Sequence, residues 1–271
     1  MKKVILFSNG KLGRTIRKII EGIKEVSIVI HVTEDSSERY ESKFIFDSKK
    51  DKNLEFLSHY EFDYIIVFNW KYKFSSHIVK EYDIFNIHPS LLPEYRGALP
   101  IVFQLLNKEA RSGVTIHKMD ENFDSGPIYY QEDFILVKGD NYTTMTIKIM
   151  VIVKKLLKKL LYELNQNNKL EIIEQNESAS SYYGYKELSL YKITGETTYS
   201  EFLMVSGTLK NKFPLLFNIN GVDRKVISFS LEQTTLNQYK FCLADQTIYI
   251  CTTGIFEVGK LDELKGVTYE K

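Results

Sequence analysis

Three residues of this 271-residue chain have the types for hydrogen-bonding and acid–base chemistry. Asn86 and His88 stand two apart in the apolar run from Asp83 to His88, which stops at Pro89. Asp124 follows in a turn-forming string, Asp124-Ser125-Gly126-Pro127. Side chains alternate along a strand, so Asn86 and His88 emerge on the same side. Proline cannot donate to a sheet ladder, so the strand ends there. Two polar groups at the end of a buried strand are costly unless they are satisfied or used. An amide donor, an imidazole that titrates near neutral pH and a carboxylate can together hold a developing oxyanion and accept a proton. Taken singly, His88 reads as a satisfied core histidine, and Asp124 as a turn residue before a glycine.

The elements that must position these residues follow from apolar runs and turn signals. Lys3 to Ser8, Val26 to His31, Tyr64 to Phe68 and the Asn86–His88 run read as strands, with a short strand at Phe44 to Phe46. Helices are expected after the first strand to about Gly22, around Asn53 to His59, over Ser76 to Tyr82, and over Ile101 to Asn107, with Pro100 at its start. Glu34 to Lys43 is helix or loop. Gly113 to Met119 and Ile128 to Val137 read as strands, the second an antiparallel edge, followed by one long helix from Asp140 to about Gln166. The fold class is therefore α/β, a doubly wound and mostly parallel sheet in which ligands bind at the carboxyl ends of strands. From Glu171 the composition shifts, and Gln175 to Ser181 has the serine-rich look of a linker. Beyond it come a helix at about Thr198 to Lys212 and short strands at Phe213 to Asn218, Arg224 to Leu231, Tyr239 to Leu243, Thr247 to Thr252 and Ile255 to Val258, with the hairpin pair Asn220-Gly221. The expected domains are 1–186 and a smaller β-rich module, 187–271.

Composition narrows the class. Lys plus Arg number 36 against 35 Asp plus Glu, a balance that gives no field for bulk nucleic acid or an anionic membrane. Two cysteines are too few for a disulfide framework, and a reducing cytoplasm is the simplest reading. The apolar stretch Ile147 to Leu161 carries Lys154, Lys155, Lys158 and Lys159, which suits a core-packed helix with a solvated face and not a bilayer span. His31, His59, His77 and His117 lack metal-ligand spacing with any cysteine and are read as structural, so no metal is expected.

The string N-x-H-x-S-L-L-P-x-x-R-G, then G-V-T-I, then M-x-x-x-x-D-x-G, resembles the 10-formyltetrahydrofolate-dependent formyltransferases across about forty residues in register. The resemblance implies that Asn86, His88 and Asp124 are catalytic and that 10-formyltetrahydrofolate is the co-substrate. It implies that Trp70, Lys71, Tyr72, Met119 and Asp120 lie where the folate is read. The alternative for Trp70 is a plug at the sheet end. Asn9, Lys11, Lys73, Arg96 and Gly97 are candidates for binding a phosphorylated acceptor, and Tyr182 and Tyr183 for stacking on its base. The loop Asn9 to Gly13 is not a dinucleotide fingerprint, and a plain strand-to-helix turn is the alternative.

Three readings of the acceptor compete. From Leu188 to Lys271 there are nine Lys and Arg and nine Asp and Glu, where a tRNA-binding module should be basic. The reading favoured is a nucleotide-linked, dTDP-type 3-amino or 4-amino dideoxyhexose destined for a bacterial surface glycan. Methionyl-tRNA is the alternative, and a non-catalytic binding protein on the same scaffold the third. A cytoplasmic homodimer that engages neither nucleic acid nor membrane is expected.

Overall fold

Four apolar runs rich in Val, Ile and Phe form the centre of the fold in the computed structural model. The structure describes residues 1–37, 40, 42–190, 205, 208, 216–219, 222–232, 238–243 and 247–251. By contacts the chain divides into two units, 1–104 with 109–183, and 105–108 with 184–271.

In the first unit the elements run β1 (Lys2–Ser8), α1 (Gly10–Glu21), β2 (Val26–Thr33), β3 (Lys43–Ile45), β4 (Tyr64–Phe68), α2 (Ser76–Glu81), β5 (Ile84–His88), β6 (Arg96–Gly97), α3 (Pro100–Leu106), β7 (Arg111–Lys118), β8 (Ile128–Ile135), α4 (Tyr142–Asn165) and β9 (Tyr182–Tyr183). The seven long strands form one sheet, ordered β3-β2-β1-β4-β5-β7-β8. The first five are parallel, β7 runs antiparallel to β5, and β8 runs antiparallel to β7. This is the expected doubly wound α/β sheet with an antiparallel edge. The strand order reverses at β1, with β2 and β3 laid down on one side and β4 and β5 on the other, which opens a crevice at the strands' carboxyl ends, the ends at which β5 also carries Asn86 and His88.

Both faces of the sheet are covered. Ile5, Phe7, Ile30, Val32, Ile65, Val67 and Ile84 are buried with Ile78 and Val79 of α2. Ile16 and Ile20 of α1 are fully buried, and nine residues of α4 are buried. Removing one of these large side chains costs about 2–5 kcal/mol. In α4 the buried residues recur at helical spacing, while Lys154, Lys155, Lys158 and Lys159 are exposed. Its start is fixed by Asn141, whose side chain accepts from the N–H groups of Thr143 and Thr144 in a capping box with Thr144. No helix among the described residues is long and apolar enough to cross a membrane.

Two expectations change. The segment 53–59 is a single 3₁₀ stretch, Glu55–His59, and not an α-helix. Gln175 to Ser181 is not a free linker. Its side chains and backbone bond back to the loop after β5: Ser181 O accepts from Arg96 N (2.9 Å), and Ser181 Oγ from Tyr95 N (2.8 Å). The following pair, β9, runs parallel to β6 with Arg96 opposite Tyr182 and Gly97 opposite Tyr183. Serine and glutamine are hydrophilic, but here they serve as bonding partners for a buried loop.

In the second unit the described residues form a four-stranded antiparallel sheet, β10 (Leu216–Ile219), β11 (Val222–Glu232), β12 (Gln238–Leu243) and β13 (Thr247–Cys251), in chain order. Ile219 pairs with Val222, the register of a two-residue hairpin. The expected strand at 255–258 and most of the expected helix at 198–212 lie outside the described residues.

Candidate active site

Asn86 and His88 leave the same side of β5, and β7 runs beside them with Asn86 opposite His117. Asp124 arrives on the loop between β7 and β8. Its φ is +56°, a left-handed conformation that Asp tolerates better than most residues. Gly126, two residues on, has no room for a side chain: a Cβ there would lie 2.0 Å from the carbonyl oxygen of Lys118. The Asp-Ser-Gly turn can therefore fold down onto the end of β7, and this aims Asp124 at β5.

The four side chains meet around one carboxylate. Asn86 Nδ2 donates to Asp124 Oδ1 at 3.0 Å and to His117 Nε2 at 3.1 Å. His88 Nδ1 and His117 Nε2 each lie 3.4 Å from Asp124 Oδ1. The N–H of Gly97 donates to Asp124 Oδ2 at 2.8 Å. His88, His117 and Asp124 are all buried, whereas Asn86 is half-buried.

Proton positions follow from the partners. His88 Nε2 is 2.8 Å from the carbonyl oxygen of Tyr95, which can only accept, so Nε2 carries the proton. The Nδ1 lone pair of neutral His88 then faces Asp124. By the same argument His117 donates from Nδ1 to Lys118 O at 2.8 Å, and its Nε2 accepts from Asn86. Burial pushes the His88 pKa down. The neighbouring carboxylate and the Tyr95 carbonyl oppose that shift and His117 reinforces it, with a net fall. Burial pushes the Asp124 carboxyl up, but the imidazoles of His88 and His117, protonated at the acid pH where the carboxyl titrates, and the Gly97 N–H outweigh it and hold the carboxyl well below the usual carboxylate range. At neutral pH the site thus holds an ionised carboxylate beside a neutral imidazole with one free lone pair, the parts of a proton acceptor.

A cavity of about 610 Å³ lies beside this cluster, within the usual range for small-molecule sites. Lys73, Arg96, Asp120, Phe123, Ser125 and Tyr182 are among its lining residues, so Asp124 sits between two residues of the wall. Lys73 lies over the ring of Phe123. Asp120 accepts from Ser125 Oγ and from the N–H of Asn122.

The other candidates fall in different places. Trp70 packs against Phe7, Phe46 and Tyr72 and borders a smaller cavity of about 100 Å³. Tyr72 donates to Glu34 at 2.6 Å, and Lys71 pairs with the same carboxylate at 3.0 Å. Met119 is partly buried against the core. Asn9 donates to Glu34 Oε2 at 3.0 Å and accepts from Thr33 and from the N–H of Glu34. A carboxylate thus occupies the mouth of the β1 loop, where a phosphate was one expectation. Lys11 is exposed on α1 and lines neither cavity. Arg96 is 8 % exposed, with its guanidinium held by Gln175 and Glu177. Tyr182 is exposed on the cavity wall, whereas Tyr183 stacks on Tyr95 and Phe103. Gly97, at φ +91°, would place a Cβ 2.5 Å from the Tyr183 carbonyl oxygen and 2.7 Å from the Tyr182 ring.

His117, the Tyr95 carbonyl and Gln175 went unrecognised from sequence. His117 sits in register in the string G-V-T-I-H, but only the antiparallel pairing of β7 with β5 makes it a neighbour of Asn86. Among the described residues no group of three or more His, Cys, Asp or Glu is arranged to hold a metal ion.

Comparison with known proteins places the chain in a family. A family model described as formyl transferase matches residues 14–161, more than half of the chain, and the chain belongs to that family. Over 104 residues it is 41% identical to a methionyl-tRNA formyltransferase from a Wolbachia of Drosophila simulans, a stretch that is 38% of this chain and 34% of that one. The chain spans between about a quarter and a half of the length of such curated relatives. Among solved structures, a 4-N formyltransferase from Francisella tularensis superposes with a TM-score of 0.68 at 23% identity, covering 86% of this chain and 99% of that one. An N-formyltransferase from Helicobacter canadensis, solved with folinic acid and dTDP-3-aminofucose, gives 0.62 at 20% identity, covering 96% and 99%. At these identities the structures establish a shared fold.

Proposed function

We propose that the chain transfers a formyl group from 10-formyltetrahydrofolate to the amino group of a nucleotide-linked, dTDP-type 3-amino or 4-amino dideoxyhexose. The observation that carries this reading is the Asn86–His88–Asp124 cluster, whose Asp124 lies in the chain between Phe123 and Ser125, two residues of the wall of the cavity of about 610 Å³. Cavity chemistry fits both substrates. Phe123 and Tyr182 offer flat rings, and Lys73 offers a cation for a carboxylate or a phosphate. The likeness to sugar N-formyltransferases over nearly the whole chain, and the neutral charge of 188–271, favour the sugar. The sequence likeness to methionyl-tRNA formyltransferases supports methionyl-tRNA as the second reading.

The donor supplies an activated formyl carbon. When the amine attacks, the formyl oxygen becomes an oxyanion and the nitrogen carries a proton that must leave. Asn86, the half-buried member, donates to the oxyanion by exchanging one of its two present N–H bonds. Asp124 and His88 act together as proton acceptor. The proton comes to rest on Nδ1 of His88, and the resulting imidazolium faces the ionised Asp124. Tyr95 O holds the imidazole so that Nδ1, and not Nε2, is the free nitrogen. The collapsing intermediate returns the proton to the folate nitrogen as the carbon–nitrogen bond breaks.

In the same reading the chain works as a cytoplasmic homodimer without nucleic acid or membrane, its second unit a separate domain. Sedimentation at micromolar concentration tests the dimer. The function is tested by incubating the protein with 10-formyltetrahydrofolate and a panel of dTDP-amino sugars and methionyl-tRNA, with products read by mass. Formylated sugar supports the proposal. Formylated methionyl-tRNA alone replaces it with the second reading.

A further inference from the structure

The side chain of Gln175 makes four hydrogen bonds, its full complement. Its Oε1 accepts from Arg96 Nε at 3.1 Å and from Arg96 Nη2 at 2.8 Å. Its Nε2 donates to the carbonyl oxygens of Asp124 at 2.9 Å and Gly126 at 2.7 Å. Arg96 is buried, and its remaining bonds go to Glu177, at 2.9 Å from Nη1 and 2.6 Å from Nη2. The next residue, Gly97, donates its N–H to the Asp124 carboxylate. A closed ring results: Asp124 carbonyl, Gln175, Arg96, Gly97 N–H, Asp124 carboxylate. Both ends of Asp124 are therefore tied to the same two-residue strand β6, although Asp124 sits on a different loop.

Asp124 needs such a tie. Its backbone is left-handed, a conformation that costs a non-glycine residue free energy and persists only where surroundings over-determine it. The loop residues on either side, Phe123 and Ser125, are cavity wall, and Phe123 is exposed. Holding a reacting group within a fraction of an ångström matters because a misplacement of about 1 Å can cost on the order of a hundredfold in rate.

We propose that Gln175 is a positioning residue of the active site: it clamps the Asp124 loop to Arg96 and so sets where the Asp124 carboxylate meets His88. The segment 175–183 is then a strap that completes the site, and Arg96 is an anchor for that strap instead of a phosphate ligand. The inference rests on the formyl-transfer reading for its kinetic test but not for its geometric one.

Two variants separate the parts. Gln175→Glu keeps an acceptor for Arg96, loses both donors and sets a carboxylate against two carbonyls. Gln175→Met loses all four bonds. Both are expected to lower kcat on the order of tenfold to a hundredfold, with the KM for the formyl donor changed far less and with unfolding still cooperative. Gln175→Glu should be the more damaged in kcat if the contact to the Asp124 loop is what matters. The second readout is the titration of His88 and His117 followed by NMR in the free protein. Withdrawing Asp124 from His88 should move the His88 titration to lower pH. Unchanged kcat per folded molecule in Gln175→Glu, together with an unshifted His88 titration, overturns the proposal. If Gln175→Met fails to fold, Gln175→Glu still decides. A wild-type protein that formylates no acceptor overturns the proposed function instead, while the histidine titration, read without substrate, continues to test the clamp.

Discussion

Asp124→Asn replaces the group on which the site converges and changes the shape of the side chain least. Asp124 Oδ1 accepts from Asn86 Nδ2 at 3.0 Å, and Oδ2 from the Gly97 N–H at 2.8 Å. An asparagine has one oxygen to offer. If it faces Asn86, the amide nitrogen meets the Gly97 N–H; if it faces Gly97, the amide nitrogen meets Nδ2 of Asn86. Either way one donor in the site loses its acceptor, at a cost of about 1–3 kcal/mol. Loss of the carboxylate also removes the charge that faces the imidazolium, and positioned proton acceptors contribute about 10²–10⁴-fold. The expected result is a kcat at least about a hundredfold lower, beyond what the stability loss explains. Because the carboxylate raises the His88 pKa, the acid limb of the pH–rate profile should also move to lower pH in the variant. Steady-state kinetics across pH, with urea unfolding of the same preparations, reads both effects. A folded Asp124→Asn enzyme with kcat within about tenfold of wild type would refute the assignment of the proton acceptor.

Gly97→Ala forces a Cβ against the Tyr183 carbonyl and the Tyr182 ring, and it should cost at least about 1–3 kcal/mol in urea unfolding and lower kcat as well. Lys73→Ala leaves the Asp124 cluster untouched, so it should raise a substrate KM with kcat nearly constant; a fall in kcat alone would place Lys73 outside the binding role. His31 is buried against Ser8 and Tyr40, and burial, ahead of the charges of Arg17 and Lys43, pushes its pKa down to about 4. The unfolded chain binds that proton near pH 6.5, so stability falls as pH falls below 6.5 and is fully retained above it. His31 alone should lose about 2 kcal/mol between pH 7 and pH 5. In His31→Gln that part of the pH dependence should vanish, and an unchanged slope would contradict the assignment.

The sheet could be read from the chain because its strands are short, apolar and separated by turn signals. Asn86 and His88 were legible for the same reason, as polar residues two apart at the end of such a run. Boundaries moved by a residue or two: β5 starts at Ile84 and α4 at Tyr142, where the sequence suggested Asp83 and Asp140. What the sequence hid depends on contacts between distant segments. His117 becomes part of the cluster only when β7 pairs antiparallel with β5. Gln175 to Ser181 looks like a linker because serine and glutamine favour water, yet its polar groups are spent on Tyr95, Arg96 and the Asp124 loop. Arg96 looked like a phosphate ligand, but its charge faces Glu177 at 2.6 Å. Composition records a side chain's preference for polar partners and leaves open whether those partners are solvent, ligand or protein.

In the proposed reaction His88, held by Tyr95 and facing Asp124, receives the amine proton during formyl transfer. The most direct test is single-turnover formyl transfer by His88→Asn, with 10-formyltetrahydrofolate and the acceptor that wild type uses, both saturating. Asparagine keeps polarity and similar size but has no basic nitrogen. Substrate binding should be unchanged and the rate reduced by about 100- to 1000-fold or more. Retention of more than about a tenth of the wild-type rate, far outside that range, would contradict this role for His88 and leave Asp124 as the proton acceptor.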